Sequence, residues 1–390
     1  MSKKDSRFNV SLFPVDGIHH FMDPLCKRLS DLGITAVIAP ERKNDFLNID
    51  FRDLIGRNPV FLSDLVEYVI QRLPFEFEDL TTLIEGESKI IKLLNSKMVV
   101  EKFKPTVYSF THNRYGEVEG TAELRVLFTA ELFRRMNRYN VEQGKHLRNA
   151  FLAVVNTSDG PLLVQEKVES CNLEVRVKRY HIGSPVHRYK YTERYNTVQL
   201  NEMPLTKWTR FDVPLVCFDW RLPLTDEEGN RLADEPISDD YAGVWMSDIA
   251  EAKYLARETF SWMESIFRDA GLLLIDICFF IDKSGHMLYG EISPDCMRVR
   301  EGLGDPHQSE SFDKDLWRQG EKEKLIAKRY HKLFHILFSQ TEKFNDHGKS
   351  DNQKQAHENV SGWSDHIDSS SAQGSGYESK RTGTSIGECF

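Results

Sequence analysis

The sequence predicts an α+β or α/β core in which short β-rich runs alternate with two long helical patterns. Its 390 residues are 40% hydrophobic and 28% charged, a balance typical of a chain that buries a sizeable core. Apolar runs of strand length recur through the middle of the chain, and two longer stretches carry apolar residues at helical spacing. A disordered or fibrous class is therefore excluded for most of the length.

The first eighty or so residues differ from the rest. Turn signals at 13–17 and 39–40 surround a helix-like stretch at 21–33, and a second helix is expected near 61–73. We interpret residues 1–80 as a module of unknown function added to a main domain.

The main domain is predicted to span residues 81–343. Its β-rich runs are 88–94, 97–103, 149–155, 172–180, 213–219, 272–282 and 286–292. Helices are predicted over 121–138 and 247–270, the second beginning at Ser247 and ending before Gly271. The last two β-rich runs predict a hairpin that delivers the residues after it to the mouth of a sheet. A closing amphipathic helix is predicted near 325–337.

Composition excludes several classes of function. The formal charge is -9, which argues against a general nucleic-acid or anionic-membrane binder but leaves room for a local basic pocket. No apolar run is long enough for a membrane helix, so a cytoplasmic location is expected. The six cysteines lie far apart without a C-x-x-C pair, which suggests reduced packing residues. Residues 344–390 are rich in Ser, Gly, Asn, Gln and His and predict a disordered tail.

The segment 291–318 carries many charges of both signs after the predicted hairpin. Its charged residues are Glu291, Asp295, Arg298, Asp313, Lys314, Asp315 and Arg318, with others between them. Loops at the end of a sheet are where charged groups can converge, because burial there is incomplete. Carboxylates can hold magnesium or an amine, and arginine can hold a phosphate by a two-pronged contact. The alternative is a solvated charged loop.

Two further segments could bind phosphate. A strand with alternating valines feeds Lys178 toward the turn Gly183-Ser184, which offers backbone N–H groups, a hydroxyl and positive charge to an anion. The alternative is a strand edge protected by basic residues. Gly86 and Lys89 stand at the head of the run 88–94, where a nucleotide phosphate could approach. That signal is weak alone, because it lacks the strand-then-helix context of a Walker loop.

Taken together, these segments resemble the family of SAICAR synthetase, phosphoribosylaminoimidazole-succinocarboxamide synthase. The motif E-I-S-P-D at 291–295, followed by Arg298 and by D-K-D at 313–315 with Arg318, carries most of the resemblance. Order and rough spacing agree over about residues 83–320.

The resemblance implies a two-lobed α+β ligase of ATP-grasp-like architecture. Members of the family use ATP and magnesium to join the carboxylate of carboxyaminoimidazole ribotide to the amine of aspartate, releasing ADP and phosphate. An amide-forming ligase of class 6.3.2 is therefore expected, in purine biosynthesis or a related specialised nucleotide pathway. Its expected partners are the ribotide, an amino acid and further copies of the same chain.

The resemblance also assigns roles to individual residues. Lys178, Ser184 and Arg298 resemble a clamp on the ribotide phosphate, to which Arg318 is added. Gly86, Lys89 and Arg221 resemble the nucleotide-binding residues. Glu291, Asp295, Asp313, Lys314 and Asp315 resemble the catalytic acidic end and the loop that follows it. No metal ligand is assigned.

Four positions depart from the family pattern. Glu87 replaces a second lysine of the glycine loop, and Cys278 and Phe280 replace a lysine and a glutamate of a strand. Gly290 stands where an aspartate precedes the E-I-S-P-D motif. The ribotide side is thus better preserved than the nucleotide side. A non-catalytic ribotide-binding or regulatory homologue that has lost ATP use is the alternative, as is a reaction in the same pocket that needs no ATP.

Overall fold

A computed structural model describes residues 8–15, 17–39, 41–54, 60–109, 114–183, 205–220 and 236–339. The strands are β1 (Phe8–Phe13), β2 (Ile34–Ile38), β3 (Leu47–Asp50), β4 (Thr81–Glu85), β5 (Lys89–Leu93), β6 (Met98–Phe103), β7 (Thr106–Ser109), β8 (Arg114–Glu117), β9 (Phe151–Thr157), β10 (Gly160–Glu166), β11 (Leu173–Tyr180), β12 (Arg210–Trp220), β13 (Pro236–Ile237), β14 (Leu272–Ile281), β15 (Leu288–Tyr289) and β16 (Met297–Glu301). The helices are α1 (Met22–Asp31), α2 (Leu62–Ile70), α3 (Thr121–Gln143), α4 (Asp239–Trp245), α5 (Ile249–Asp269), α6 (Asp315–Arg318) and α7 (Glu323–Phe338). The predicted tail at 344–390 lies outside the described ranges.

The strands form separate sheets. Near the N-terminus, β1 pairs in parallel with both β2 and β3. An antiparallel sheet has the order β4-β5-β6-β10-β9, and a second has the order β13-β12-β11-β14-β15, with β16 also pairing to β14. Strands β7 and β8 form a hairpin. The mixture of sheets and helices confirms the α+β prediction.

Two large apolar cores hold these sheets. One lies between the N-terminal region and the sheet β4-β5-β6-β10-β9, where Leu25 and Leu65 share a buried cluster with Met98, Leu152 and Val164. The other lies between helices and the sheet that contains β11 and β14. Residues before 81 therefore bury apolar surface together with strands of the main domain, and burial of apolar surface is the dominant stabilising term. The domain boundary at residue 80 stays a prediction.

Helix α3 contributes to the second core through one continuous face. Its buried positions include Arg125, Phe128, Leu132 and Met136, which recur at three- or four-residue spacing. A completely buried arginine on this face needs a carboxylate partner, because an unpaired charge is very costly to bury. That partner comes from a distant part of the chain, as described below.

Some predicted elements form with changed boundaries, and others in the structure were not predicted. The helix predicted at 247–270 is α5, but its N-cap is Asp248, whose side chain accepts from Glu251 N at 2.9 Å, and not Ser247. The predicted hairpin forms, although its second arm is only the two residues of β15. Other elements were not predicted, namely strands β1, β2, β3, β4, β7, β8, β10, β13 and β16 and helices α4 and α6. No helix in the described ranges is long and apolar enough to cross a membrane.

Candidate active site

Three neighbouring strands place three charged side chains in one row. Lys178 of β11 lies opposite Asp276 of β14, which in turn lies opposite Arg298 of β16. Lys178 Nζ and Arg298 Nη1 both donate to Asp276 Oδ2, at 2.8 Å and 2.6 Å. All three side chains are largely buried. The strand register thus brings together two basic residues that are 120 positions apart in the sequence.

The chain after β11 passes directly over this row. A Cβ atom at Gly183 would lie 3.0 Å from both Nη1 and Nη2 of Arg298, and Gly183 has a φ of +80°. Glycine is favoured there because other residues rarely adopt this conformation and because the guanidinium is so close. Gly183 immediately precedes Ser184, which lies outside the described residues.

The D-K-D segment surrounds the same row with further charges. Asp315 accepts from Arg298 Nε at 3.1 Å, from Arg300 Nη2 at 2.5 Å and from Arg318 Nη1 at 2.6 Å. Asp313 accepts from Arg300 Nη1 at 2.7 Å. The cluster contains four cations, Lys178, Arg298, Arg300 and Arg318, and three carboxylates, Asp276, Asp313 and Asp315. Its net charge is therefore positive by one when every group is ionised, which suits an anionic ligand.

The two aspartates of this segment titrate in opposite directions. Burial, followed by repulsion from Asp315, raises the pKa of Asp313 to about 6. Burial would also raise the pKa of Asp315, but Arg298, Arg318 and Arg300 outweigh it and lower that pKa. Asp315 is thus ionised at neutral pH, whereas Asp313 changes charge in mildly acidic solution.

Between these aspartates, the side chain of Lys314 points away from the basic row and toward Glu291 and Asp295, which form the acidic end of the site. Its Nζ donates to Asp295 Oδ2 at 3.0 Å. Glu291 is held by Arg125 of α3, with Nε–Oε1 at 2.6 Å and Nη2–Oε2 at 2.7 Å. Ser293 Oγ also donates to Glu291. The segment 313–315 therefore links the basic row and the acidic end into one continuous site.

Both carboxylates of the acidic end are ionised at neutral pH. Burial would raise the pKa of Glu291, but Arg125 outweighs it and lowers that pKa. For Asp295, burial is likewise outweighed, here by Lys314 and then Arg125, so its pKa is lowered. Lys89 also contributes to the lowering of the pKa of Glu291.

Lys89 lies in the hairpin that joins β4 to β5, where Gly86 N donates to Lys89 O at 2.9 Å. The Lys89 ammonium pairs with Glu101 at 2.7 Å and lies 4.8 Å from the centre of the Phe103 ring. It is also adjacent to two of the departures from the family pattern. A Cβ atom at Gly290 would lie 3.7 Å from Lys89 Nζ and 3.0 Å from Phe280 Cδ2.

The site thus presents the Phe280 ring and the bare backbone of Gly290 near Lys89. Gln165 fixes this backbone, since its amide accepts from Gly290 N at 2.8 Å and donates to Gly290 O at 3.0 Å. A phenylalanine ring cannot coordinate a hard cation such as Mg²⁺. The described part of the chain contains no cluster of three or more His, Cys, Asp or Glu residues that could hold a metal ion. Among the residues that the structure describes, this side therefore offers a magnesium ion no such cluster.

Most of the residues singled out from the sequence meet in this site. Lys89, Lys178, Glu291, Asp295, Arg298, Asp313, Lys314, Asp315 and Arg318 are brought together by the contacts above, and Gly86 lies in the turn beside Lys89. Ser184 and Arg221 lie outside the described residues. The roles of all twelve residues stay predictions, because proximity alone does not assign chemistry.

Sequence reasoning missed four charged residues of the site, namely Glu101, Arg125, Asp276 as a partner, and Arg300. Arg125 carried a usable signal, because it lies on the apolar face of the predicted helix. The other three carried none, since their partners depend on which strands pair and in which register.

Comparisons with known proteins identify the family of the chain. A family model described as SAICAR synthetase matches residues 82–332. The phosphoribosylaminoimidazole-succinocarboxamide synthase of Campylobacter fetus is 27% identical to the chain, and the match covers 62% of the chain and 92% of that protein. The synthase of Sulfolobus acidocaldarius is 24% identical, and the match covers 65% of the chain and 96% of that protein. A bifunctional cordycepin biosynthesis cluster protein 3 from Cordyceps militaris is 24% identical over 62% of the chain, which spans only 31% of that protein.

Solved structures share the fold. A SAICAR synthetase in complex with ADP superposes with a TM-score of 0.51 and 21% identity, covering 66% of the chain and 97% of that protein. The SAICAR synthase of Saccharomyces cerevisiae, complexed with SAICAR, gives a TM-score of 0.51 at 16% identity over 68% and 98% of the two chains. At these identities the likeness supports the two-lobed architecture and does not transfer a reaction.

Proposed function

Because the chain belongs to the SAICAR synthetase family, we propose that it is an ATP-dependent ligase that joins the carboxylate of carboxyaminoimidazole ribotide to an amine. Aspartate, the amine substrate of the family, is proposed as the partner. The convergence of Lys178 and Arg298 on Asp276, beneath the backbone at Gly183, carries the proposal. It provides a buried, net-positive seat for a sugar phosphate, distinct from the nucleotide side at Lys89.

The proposed chemistry explains why the two sides are separate. A carboxylate is a poor electrophile, so a carboxylate oxygen first takes the terminal phosphoryl group of ATP, and ADP leaves. The neutral form of the amine then attacks the acyl phosphate through its nitrogen, a C–N bond forms, inorganic phosphate leaves with the C–O bond electrons, and the proton released from nitrogen passes to the departing phosphate. Holding the ribotide phosphate and the nucleotide at fixed positions aligns the reacting atoms, which is the main entropic contribution available here.

The acidic end is proposed to receive the amino acid. Glu291 and Asp295 have lowered pKa values, so they are ionised but weakly basic at neutral pH. Such carboxylates hold an ammonium group better than they remove its proton. The nucleotide phosphates are proposed to lie near Lys89 and the Gly86 turn, with Mg²⁺ carried on the phosphates.

The biological pathway is proposed to be purine biosynthesis or a specialised nucleotide pathway. The latter is supported by the similarity to the Cordyceps militaris protein, whose name places it in a cordycepin biosynthesis cluster. A cytoplasmic location and self-association stay predictions.

A second function is favoured by one observation. Phe280 and Gly290 flank Lys89, which is already paired with Glu101. A protein that binds the ribotide without using ATP would be consistent with this arrangement.

One experiment separates the two functions. Purified full-length protein is incubated with carboxyaminoimidazole ribotide, aspartate, ATP and Mg²⁺ while ADP and the amide product are followed. The ligase predicts stoichiometric ADP and amide. Ribotide binding by calorimetry without any turnover would favour the binding protein, and the absence of both would overturn the site.

Arg298→Lys supplies the residue-specific test. Lysine keeps the charge but cannot bridge Asp276 and Asp315, so ribotide affinity should fall by about 1–3 kcal/mol, or roughly 5- to 150-fold. Arg268→Lys, at an exposed position near the end of α5, is the matched control and should leave affinity unchanged.

A further inference from the structure

Trp317 lies in the short helix α6, two residues after Asp315. Only 2% of Trp317 is exposed. It shares an apolar cluster with residues from β7, α3, α6, α7 and the segment after β8, namely Val107, Val118, Leu124, Leu316, Ile326 and Tyr330. The carboxylate of Asp315 accepts from three arginines of the basic cluster, so the packing of Trp317 adjoins the proposed seat of the sugar phosphate.

The indole ring of Trp317 lies against the backbone of Gly116 in β8. A Cβ atom at Gly116 would be 2.4 Å from Cη2 and 2.7 Å from Cζ2 of this ring. Both distances are far below the separation of about 3.5–4.0 Å at which carbon atoms attract each other best. Gly116 is not among the glycines with positive φ. The contact with Trp317, and not the backbone conformation, therefore requires glycine at this position.

A movement of Trp317 would be passed to Asp315 through the backbone of α6. The ring is packed among side chains from several elements, and a close-packed interior offers it no empty space to enter. Asp315 O accepts from Gln319 N at 2.9 Å, and Trp317 O accepts from Gly320 N at 3.1 Å, so the single turn of α6 is closed by hydrogen bonds. A side chain at Gly116 would therefore displace this turn as a unit, together with the Asp315 carboxylate.

We propose that Gly116 is a positioning residue for the phosphate seat, because it admits Trp317 to the place from which α6 aligns Asp315 with Arg298 and Arg318. The inference rests on the proposed function, since it concerns the seat of the ribotide phosphate. Gly116 and Trp317 act through the Asp315 carboxylate, which accepts from Arg298 Nε at 3.1 Å and from Arg318 Nη1 at 2.6 Å. The hairpin β7–β8, in which Gly116 pairs with Val107, thereby becomes part of the apparatus that shapes the seat.

Calorimetric titration of the full-length chain with ribose 5-phosphate, the sugar-phosphate part of the ribotide, tests the inference. Gly116→Ala should displace Trp317 and weaken binding by about tenfold. Trp317→Phe should weaken it about threefold, because the smaller ring does not reach as far as Cζ2 and Cη2 and leaves a gap beside Gly116. In the double variant the methyl group occupies that gap, so most of the affinity should return. Gly304→Ala is the control, since nothing lies within 4 Å of a Cβ atom there.

Urea unfolding of each variant separates positioning from a loss of stability alone. A purely structural contact predicts easier unfolding but unchanged affinity in the folded variants, and that result would overturn the inference. A double variant that binds more weakly than Trp317→Phe would also overturn it, and this comparison decides the matter even where Gly116→Ala does not fold. If the unaltered chain does not bind ribose 5-phosphate, the proposed function fails and the inference fails with it, whereas binding that none of these substitutions changes overturns the inference alone.

Discussion

Lys178 and Arg298 donate to the same carboxylate oxygen, Asp276 Oδ2, at 2.8 Å and 2.6 Å. One oxygen therefore fixes the positions of two cations that come from different strands. Asp276 is itself strongly influenced by them, because burial would raise its pKa but Arg298 and Lys178 outweigh burial and lower it. The carboxylate thus both positions the cations and competes with any phosphate that approaches them.

Asp276→Asn separates these two effects. The amide keeps an oxygen acceptor but removes one negative charge, so affinity for ribose 5-phosphate should rise about fivefold while the free energy of unfolding falls by about 1–3 kcal/mol. Calorimetry and urea denaturation measure the two quantities. Asp269→Asn, at an exposed position in α5, is the control for removing a charge. A folded Asp276→Asn variant with weaker phosphate binding would mean that positioning dominates over competition.

Arg125 and Glu291 form a buried ion pair, and removing only one of the two charges should destabilise the folded chain. Arg125→Met leaves a buried carboxylate without its cation and should lower the free energy of unfolding by about 3–5 kcal/mol. The double variant Arg125→Met/Glu291→Gln should recover part of this loss, because no uncompensated charge remains. Denaturant unfolding of the four members of the cycle checks this. Strictly additive losses would show that the two side chains do not interact.

The titration of Asp313 should be visible in the pH dependence of stability. Its pKa is raised from 3.8 to about 6 in the folded chain, so the folded state holds a proton that the unfolded state has released. The stabilisation linked to this group is complete below pH 3.8 and is lost as pH rises through 6, by about 3 kcal/mol in total. Comparison with Asp313→Asn isolates this contribution. The unfolding free energies of the two proteins should converge or cross between pH 4 and 7, and a constant difference would contradict the raised pKa.

Gly290 should tolerate no side chain. Its φ is +74°, and a Cβ atom there would lie 3.0 Å from Phe280 Cδ2. Gly290→Ala should therefore lower stability by about 1–3 kcal/mol, and Phe280→Leu in the same chain should restore only the part that comes from the contact. Gly304→Ala is the control, since nothing lies within 4 Å of a Cβ atom at that position. Thermal or urea unfolding measures the stability of each variant. An equal loss of stability at Gly290 and Gly304 would contradict the prediction.

The features of this site that the sequence predicts are those formed by residues close together in the chain, and contacts between distant segments are not predicted. The hairpin before Glu291 is a local feature, and its strand and turn residues predict it directly. The meeting of Lys178 with Arg298 was expected only through resemblance to a family. Physical reasoning from the sequence could not supply it, because it depends on β14 lying between β11 and β16 in one particular register.

Arg125 illustrates the intermediate case. Its position on an apolar helix face indicates that it is buried and must be paired, but the sequence offers many carboxylates as partners. The parallel strands β1, β2 and β3 were missed for another reason. Their runs are short and lie among turn residues, so local patterns do not distinguish them from loops.

Helix α3 carries Arg125 near its beginning and Arg134 nine residues later, about 14 Å along its axis. The first guanidinium is neutralised by the E-I-S-P-D motif, and the second by Glu67, which belongs to the N-terminal eighty residues. A recombinant fragment that starts at residue 81 would keep the whole family-matching region. In that fragment, however, Arg134 would lose its partner Glu67, and the apolar face of the sheet β4-β5-β6-β10-β9 would be exposed to solvent. Biochemists who trim the protein to its recognisable part should therefore expect an insoluble product.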